Sequence, residues 1–458
     1  MSEEKLNRVI NFNQLVIYGV GVILGAGIYA LIGEAAGTTG PSLWMSFLFA
    51  AIVASFTGLS YAELSSIKQT TASEYMYVKQ GFKNKRTAFI VSWLINIVDI
   101  TAITTVSLGF ANYFVALFFP KLIDKVILSL FEITLTPVVL VASLLILALT
   151  LINYIGIKQS VNLNIIFTLI ESIGLLVIIL LGGIHLAQGG HVPNLLEMPF
   201  GFTGLFGAVA LIFFAYLGFE DLANLGEEVK EAKKNIPKAI LLSIVITTII
   251  YVLVSISAVS IIPWQQLGNS PQPLADVANA KLGAKGSFML SFIALFSTFN
   301  TVLIMITAVS RVIYGMAKDN SLPKFLAKVS RKRKTPVNAL IAVALIAIAA
   351  SFMKDIGEVA ELTTLGVFIV FGMINASLIK IRLSNEKLPE DRFKTPFNIG
   401  RFPLIPFFGL LSSIWMIGTY LVKNTASGLQ VNLLNPSVII VIIEITLGII
   451  AFELLKRR

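Results

Sequence analysis

Uninterrupted apolar runs of about 20 residues recur along this chain of 458 residues. A helix of that length spans the roughly 30 Å of hydrocarbon in a bilayer. Only 13% of the residues are charged, about half the share of a typical soluble domain. The pattern therefore predicts an all-α integral membrane protein that is in direct contact with the lipid bilayer.

Breaks between the apolar runs predict twelve transmembrane helices. They lie near 13–38, 42–66, 87–119, 136–155, 160–184, 203–224, 238–262, 286–317, 337–353, 357–382, 403–422 and 436–455. An even number of helices places both termini on the same side of the membrane.

The 35 lysine and arginine residues predict which side that is. The segments on the side of the termini hold 28 of them, the opposite loops hold six, and Arg311 lies inside the eighth predicted helix. Basic residues concentrate on the cytoplasmic side of membrane proteins, so both termini are expected in the cytoplasm and the protein in the cell membrane. Because topology accounts for the net charge of +10, no binding of nucleic acid is expected.

Few side chains in this sequence suit catalysis. The chain has no cysteine, and its two histidines, His185 and His191, lie in one short hydrophilic loop. A metal site or histidine-based catalysis is therefore not expected, and no constellation of nucleophile and base is visible. A phosphate-binding loop of the form G-x-x-x-x-G-K-S/T is absent as well, so we expect neither an enzyme nor a pump driven directly by ATP.

The first predicted helix contains a glycine cluster at its centre. Gly25-Ala26-Gly27 places two poor helix formers around one small residue at mid-membrane depth, where an unwound turn costs least. Unwound backbone at that depth is tolerated only where it lines a cavity, and the N–H groups that begin a half-helix suit a carboxylate. Close helix packing is the alternative, because Gly21 and Gly25 have the spacing of a small-residue stripe. A broken helix is the preferred interpretation.

The sixth predicted helix repeats this feature. Its segment from Phe213 to Asp221 contains Gly218 and two adjacent carboxylates in an otherwise apolar run. Because a carboxylate is costly in lipid, Glu220 is expected to face the protein interior or water. The first and sixth helices are five apart, a spacing that inverts the second repeat. Paired broken helices in corresponding positions predict a transport site at the membrane midplane.

Several stretches of the chain carry a family resemblance. Gly19 to Tyr29 reads GVGVILGAGIY, Phe213 to Asn235 reads FFAYLGFEDLANLGEEVKEAKKN, and Ser310 to Pro323 reads SRVIYGMAKDNSLP. The shorter motifs Lys334-Thr335-Pro336 and Phe393-Lys394-Thr395-Pro396 follow. Together and in this order they resemble the amino acid, polyamine and organocation (APC) transporters, above all bacterial and archaeal amino acid permeases and cationic amino acid transporters.

The resemblance implies a LeuT-like fold in a single transporter domain, 1–458. It implies one inverted repeat of five helices over 13–184, a second over 203–382, and two additional helices over 403–455, with discontinuous first and sixth helices.

The resemblance also implies a substrate site at the two broken helices. Backbone N–H groups of Gly25, Ala26 and Gly27 would hold the carboxylate of an amino acid. Carbonyl groups of the unwound segments would hold its α-amino group, and these belong to Val22, Ile23, Phe214, Ala215 and Gly218. Phe214 also matches the aromatic gate that closes over substrate in relatives, with a lipid-facing phenylalanine as the alternative.

A carboxylate stands where many relatives have a lysine on the fifth helix. That lysine replaces a sodium ion, and alignment on Gly156 to Asn164 places Glu171 at its position. Glu171 is therefore predicted to carry a transported proton or to help coordinate sodium, a cation that prefers oxygen ligands. The proton is preferred, and a permanently protonated glutamic acid hydrogen-bonded between helices is the structural alternative. Asn300 in the eighth helix matches the small polar partner of that lysine, so a contact between Glu171 and Asn300 is predicted.

The sequence defines the roles of the other acidic residues inside or beside the helices less closely. Glu220 matches a position that is often acidic in the family, and we expect either a proton-sensitive gate or a buried hydrogen bond to another helix. No family role carries over to Asp99, which forms a polar face with Ser92 and Asn96. A bond between helices is expected for it, and contact with solvent or with a cationic side chain is the alternative, because the long third helix can tilt. Glu63 and Glu74 flank a cytoplasmic loop and are interpreted as an inner-gate element with Arg311 as a partner.

We therefore expect a secondary active amino acid transporter that works by alternating access, with proton symport preferred over exchange. Because the pattern assigns no acidic residue to the side-chain pocket, neutral L-amino acids are favoured over cationic amino acids or polyamines. An amino acid sensor and a channel are the alternatives from other classes. No cofactor is expected besides the coupling ion, and monomer and homodimer stay open.

Overall fold

The computed structural model describes residues 6–122, 125–130, 133–270, 272–352, 357–384, 386–425, 428–431 and 436–456. Helices make up most of these residues. In chain order they are α1 (Phe12–Leu24), α2 (Ala26–Thr39), α3 (Leu43–Ile67), α4 (Ser73–Phe82), α5 (Lys85–Phe118), α6 (Pro137–Ile155), α7 (Ile157–Ala187), α8 (Gly201–Phe213), α9 (Ala232–Ile261), α10 (Trp264–Gly268), α11 (Pro273–Leu282), α12 (Ala284–Lys318), α13 (Val337–Ala350), α14 (Gly357–Leu383), α15 (Leu404–Leu421) and α16 (Pro436–Lys456).

Short antiparallel strand pairs occur in connections between long helices. They are β1 (Leu128–Leu130) with β2 (Ile133–Leu135), β3 (Asn398–Ile399) with β4 (Phe402–Pro403), and β5 (Val422–Thr425) with β6 (Gly428–Val431). The first pair lies between α5 and α6, the second between α14 and α15, and the third between α15 and α16.

Ten helical segments of the described chain are long and apolar enough to cross a membrane. The predicted ninth and eleventh helices correspond to α13 and α15, whose apolar stretches, Val337–Ala350 and Leu404–Thr419, are shorter. Large apolar side chains face outward along the bundle, for example Leu151 on α6 and Leu180 on α7, which are 58% and 64% exposed. Exposed apolar surface on this scale indicates lipid contact. The all-α membrane class is therefore confirmed, while the twelve-helix topology stays a prediction.

A capping box fixes the start of α1. The side chain of Asn11 accepts a hydrogen bond from the N–H of Gln14 at 3.0 Å, and the side chain of Gln14 accepts one from the N–H of Asn11 at 3.1 Å. This reciprocal pair satisfies N–H groups that a helix start would otherwise leave unbonded. Just before the cap, Ile10 forms a parallel bridge with Val229. The entry of α1 is thereby attached to the chain that follows the sixth predicted helix.

Two glycines of α1 allow this helix to pack closely against its neighbours. A Cβ atom on Gly19 would lie 2.3 Å from Ser243 Oγ of α9, and one on Gly21 would lie 1.9 Å from Thr168 Oγ1 of α7. A larger side chain at either position would force these neighbouring side chains or their helices to shift. The packing interpretation thus holds for Gly19 and Gly21, and α1 lies between α7 and α9 at the centre of the fold.

Candidate substrate site

The first predicted helix is broken at the expected place. Helix α1 ends at Leu24 and α2 begins at Ala26, with Gly25 between them at φ −24° and ψ −154°. Neighbouring atoms explain the glycines. A Cβ on Gly25 would lie 2.4 Å from Thr301 Oγ1, and one on Gly27 would lie 2.8 Å from Ala215 Cα. The break in the first helix therefore packs directly against α12 and against the sixth predicted helix.

The sixth predicted helix is broken as well. Helix α8 ends at Phe213 and is followed by a 3₁₀ turn, Phe214–Tyr216, and by a second 3₁₀ segment, Phe219–Leu225. Between them Gly218 adopts φ +110°, a conformation that favours glycine. A Cβ there would lie 1.8 Å from Val22 Cγ1. Only glycine fits both the backbone conformation and the close approach of α1.

A cavity lies where the two breaks meet. Its wall includes all eight residues predicted to bind substrate, together with Glu220: Val22, Ile23, Gly25, Ala26, Gly27, Phe214, Ala215 and Gly218. The remaining wall residues come from the same broken helix and from α5, α12 and α14: Leu217, Asp221, Asp99, Val106, Thr301, Met305 and Val367. The structure brings the predicted residues together, and their role in binding stays a prediction.

Some backbone groups of this cavity already have partners within the protein. The N–H of Ala26 donates to Thr301 Oγ1 at 3.1 Å. The hydroxyl of Tyr251, on α9, donates to the carbonyl oxygens of Ile23 and Ala215, the latter at 3.0 Å. Neither contact was predicted from the sequence, although Thr301 belongs to a polar patch of the eighth predicted helix that also contains Ser297, Thr298 and Asn300. Tyr251 interrupts a long apolar run without any motif around it, and that isolated polar group was the one available signal.

Three carboxyl side chains line the cavity. Glu220 Oε2 accepts the N–H of Gly218 at 2.9 Å, so its hydrogen bond is made within its own segment and not to another helix. Asp99 and Asp221 have no side-chain hydrogen bond or ion pair among the described residues, and the cavity wall described here contains no lysine, arginine or histidine. The expected interhelical bond of Asp99 is therefore wrong, and the premise of a pocket without acidic residues is wrong too. Asp99 instead lines the cavity, because the rotation of α5 turns that part of its polar face toward the two helix breaks.

The predicted contact between Glu171 and Asn300 is present. Asn300 Nδ2 donates to Glu171 Oε1 at 3.2 Å, and Asn164 Nδ2 donates to Asn300 Oδ1 at 2.9 Å. These three side chains are fully buried. Glu171 Oε2 and Ser297 Oγ have no hydrogen-bond partner among the described residues. This cluster joins α7 to α12, and no basic side chain of the described chain pairs with Glu171.

The predicted inner-gate pairing of Arg311 is wrong. Arg311 forms a bidentate ion pair with Glu228, with Nε and Nη2 each 3.0 Å from a carboxylate oxygen, and both side chains are fully buried. Glu63 instead binds Arg382 through two contacts of 2.6 Å. Glu74 accepts a hydrogen bond from Tyr61 at 3.0 Å, and burial raises the pKa of its carboxyl. Ion-pair partners far apart in sequence are selected by helix packing, which local motifs do not specify.

Comparison with known proteins identifies the class to which this fold and cavity belong. The family model described as amino acid permease matches residues 10–445, so the chain belongs to the amino acid permease family. This family consists of transporters.

Individual relatives cover most of the chain. The branched-chain amino acid permease of Bacillus subtilis (strain 168) is 30% identical over 91% of this chain and 88% of its own length. The methylthioribose transporter of the same organism is 27% identical over 90% of this chain and 88% of its own length. The vacuolar cationic amino acid transporter 4 of Arabidopsis thaliana is 29% identical over 82% of this chain and 64% of its own length.

Proposed function

We propose that this protein is a proton-coupled L-amino acid transporter of the cell membrane that works by alternating access. In this proposal the chain is one LeuT-like unit with inverted repeats over 13–184 and 203–382, two further helices over 403–455, and both termini in the cytoplasm. The observation that carries it is the cavity formed where two broken helices meet inside the bundle. Broken helices with free backbone groups at membrane depth are suited to a small zwitterionic substrate.

The two ends of an amino acid would bind different backbone groups. The start of α2 supplies N–H groups and the positive end of a helix dipole, which favour a carboxylate. The N–H of Ala26 now bonds to Thr301, so a bound carboxylate would share or replace that contact, while Gly25 and Gly27 lie beside it. Carbonyls at the end of α1 and in the Phe214–Tyr216 turn would accept from the α-ammonium group. Phe214, on the cavity wall, would close over the substrate.

Apolar side chains favour a neutral substrate. Val106 of α5, Met305 of α12 and Val367 of α14 face the cavity from outside the two breaks. An aliphatic side chain would gain about 25 cal/mol for each Å² of apolar surface that it buries against them. A relative named for branched-chain amino acids supports the same choice.

A cationic amino acid is the second candidate, and the carboxyl groups favour it. Asp99 and Asp221 line the cavity without any described ion-pair partner, and a buried carboxylate is costly unless a cation neutralises it. An ammonium or guanidinium side chain would supply that cation. Relatives named for cationic amino acids support this candidate.

Glu171 is proposed to carry the transported proton. It is fully buried next to Asn300, and one carboxyl oxygen has no described partner. A charge in such a place has to be neutralised by a proton or by a metal cation. Sodium is the alternative, because the neighbouring Thr168 and Ser297 also offer oxygen atoms.

Uptake into proteoliposomes tests the transport proposal. With an inward proton gradient, we expect labelled L-leucine to accumulate and unlabelled branched-chain amino acids to compete best among the twenty. Uptake that occurs only when the vesicles are preloaded with amino acid would instead identify an exchanger. Binding without flux would identify a sensor, and flux that ignores the proton gradient except as voltage would identify a channel.

A substitution at Asp99 distinguishes a neutral from a cationic substrate. For a neutral substrate, Asp99→Asn is expected to change the inhibition constant of L-leucine by less than about threefold, because a surface of similar shape remains. If L-arginine is the substrate, loss of a charge-assisted contact should weaken its competition by about tenfold or more. The measurement is competition by both amino acids in the same proteoliposomes. The exposed residue Glu34, replaced by glutamine, is the matched control for loss of one carboxylate.

A further inference from the structure

One tyrosine hydroxyl connects the two helix breaks. Tyr251 is fully buried on α9, and its hydroxyl donates to the carbonyl oxygen of Ile23, at the end of α1, and to that of Ala215, in the turn after α8. Both carbonyl-bearing residues lie on the cavity wall. A third helix thus holds the two broken helices at the point where each leaves regular structure.

The carbonyl of Ile23 belongs to a helix end. The last four carbonyl groups of an α-helix have no partner within the helix, and α1 ends one residue later, at Leu24. A phenol has one hydrogen, so Tyr251 cannot saturate two carbonyl oxygens that each offer two lone pairs. Both carbonyl oxygens can therefore accept a further hydrogen bond, and the Tyr251 hydroxyl holds them in a fixed orientation.

The ring of Tyr251 is held in place by its neighbours. Its centroid lies 5.3 Å from that of Phe47 on α3 and 5.3 Å from that of Tyr216. Tyr216 in turn donates its hydroxyl to the carbonyl of Phe47 at 3.1 Å. On the other side, Gly27 lets α2 approach Ala215 so closely that a Cβ would meet backbone at 2.8 Å. Neither the hydroxyl oxygen of Tyr251 nor the two carbonyl groups can move apart without repacking several buried rings.

We propose that Tyr251 is a positioning residue for the α-amino group of the substrate. It does not line the cavity and acts through the carbonyls of Ile23 and Ala215, which it holds in an orientation that accepts an ammonium group. Acceptors held in place before binding cost less to order when the ligand arrives. This inference rests on the proposed amino acid site and adds to it the determinant that distinguishes an amino acid from the same acid without its amino group.

The test compares two ligands that differ only in the amino group. L-leucine and 4-methylpentanoate share carboxylate and side chain, and their dissociation constants are measured on the purified full-length wild type and on Tyr251→Phe. We expect Tyr251→Phe to weaken binding of L-leucine about tenfold, because carbonyl groups that lose their orientation also lose a charge-assisted hydrogen bond to the ammonium group. The dissociation constant of 4-methylpentanoate should change by less than about twofold. The ratio of the two constants is the readout, because any loss of folded protein affects both measurements equally.

Two further variants of the protein serve as controls. Tyr75→Phe removes a buried tyrosine hydroxyl that lies outside the cavity wall and donates to Asp319 at 2.7 Å, and it should leave the ratio unchanged. Replacing Tyr251 by 4-aminophenylalanine keeps a donor at the same place, and it should preserve the wild-type ratio even if the phenylalanine variant fails to fold. Equal weakening of both ligands, or tighter binding of L-leucine by Tyr251→Phe, would overturn the proposal. Wild-type protein that binds no amino acid would overturn it together with the proposed function, and that failure is recognised in the wild type alone.

Discussion

Replacing Glu171 with glutamine is expected to abolish accumulation of substrate against its gradient while leaving exchange of substrate across the membrane intact. Glutamine keeps a carbonyl oxygen that can accept the hydrogen bond from Asn300 Nδ2, now 3.2 Å from Glu171 Oε1, and it has nearly the same volume. It cannot bind or release a proton. The packing between α7 and α12 should therefore survive, and the coupling should not.

The size of the effect follows from the driving force. One pH unit corresponds to about 1.4 kcal/mol per proton, so a gradient of about two units can sustain roughly a hundredfold accumulation by a carrier that moves one proton with each substrate. In the Glu171→Gln variant, the internal concentration should reach only the external one. The measurement is time-dependent uptake of labelled L-leucine with and without the gradient, with counterflow measured in parallel.

Glu34→Gln provides the control, because it removes an exposed carboxylate on α2. Unchanged accumulation by Glu171→Gln would show that Glu171 is the structural glutamic acid of the alternative interpretation. Repeating uptake with a sodium gradient at constant pH distinguishes the other case. Stimulation by sodium that disappears in Glu171→Gln would identify a sodium ligand.

Replacing Arg311 with methionine should cause the largest loss of stability among single substitutions in the ion pairs described here. The guanidinium binds both carboxylate oxygens of Glu228 at 3.0 Å, and neither side chain is exposed to solvent. Removing one partner leaves an uncompensated buried charge, which costs about 3–5 kcal/mol. Thermal unfolding in detergent measures this loss of stability, and the midpoint temperature of unfolding should fall by several degrees or more.

A second variant separates lost charge pairing from lost packing. Arg311→Met combined with Glu228→Gln removes both charges, and it should recover most of the lost stability, because buried ion pairs are often replaceable by neutral groups of similar volume. Arg86→Met is the matched control. Its contact with Glu453 is 3.7 Å long and half exposed, and such a pair contributes at most about 1 kcal/mol. An Arg311→Met protein as stable as Arg86→Met would contradict the argument.

The Arg311 pair also lies beside the segments that flank both broken helices. Glu228 follows the broken sixth helix, and its backbone carbonyl accepts hydrogen bonds from the N–H groups of Val9 and Ile10, at 3.0 and 3.1 Å. Glu228 therefore connects three parts of the chain to one another: α12, the segment after the sixth predicted helix, and the segment that precedes α1. Arg311 and the segments flanking both broken helices therefore share Glu228 as a contact residue.

The helix breaks were predictable because their cause is local. Gly25-Ala26-Gly27 weakens a helix wherever it occurs, and Gly218 adopts a backbone conformation that other residues rarely tolerate. Asn164, Thr168, Glu171 and Ser172 follow an i, i+4, i+7, i+8 pattern in the sequence. The face that they share was predictable for a similar reason, since helical periodicity places them together before any tertiary contact forms. The family resemblance then supplied Asn300 as the partner, and the structure contains that contact.

Other features depend on how helices rotate and approach one another. Tyr251 lies 228 positions from the Ile23 carbonyl it bonds, in an apolar run that shows no preferred face. Asp99 faces the cavity because of the setting of α5, and Arg311 selects Glu228 over Glu63 or Glu74 because of where α12 meets the chain after the sixth predicted helix. Backbone conformation and hydrophobic periodicity are properties of neighbouring residues, so apolar helices and their breaks can be read along the chain. Partner choice among buried polar groups follows from desolvation and packing between distant segments, and only the folded bundle decides it.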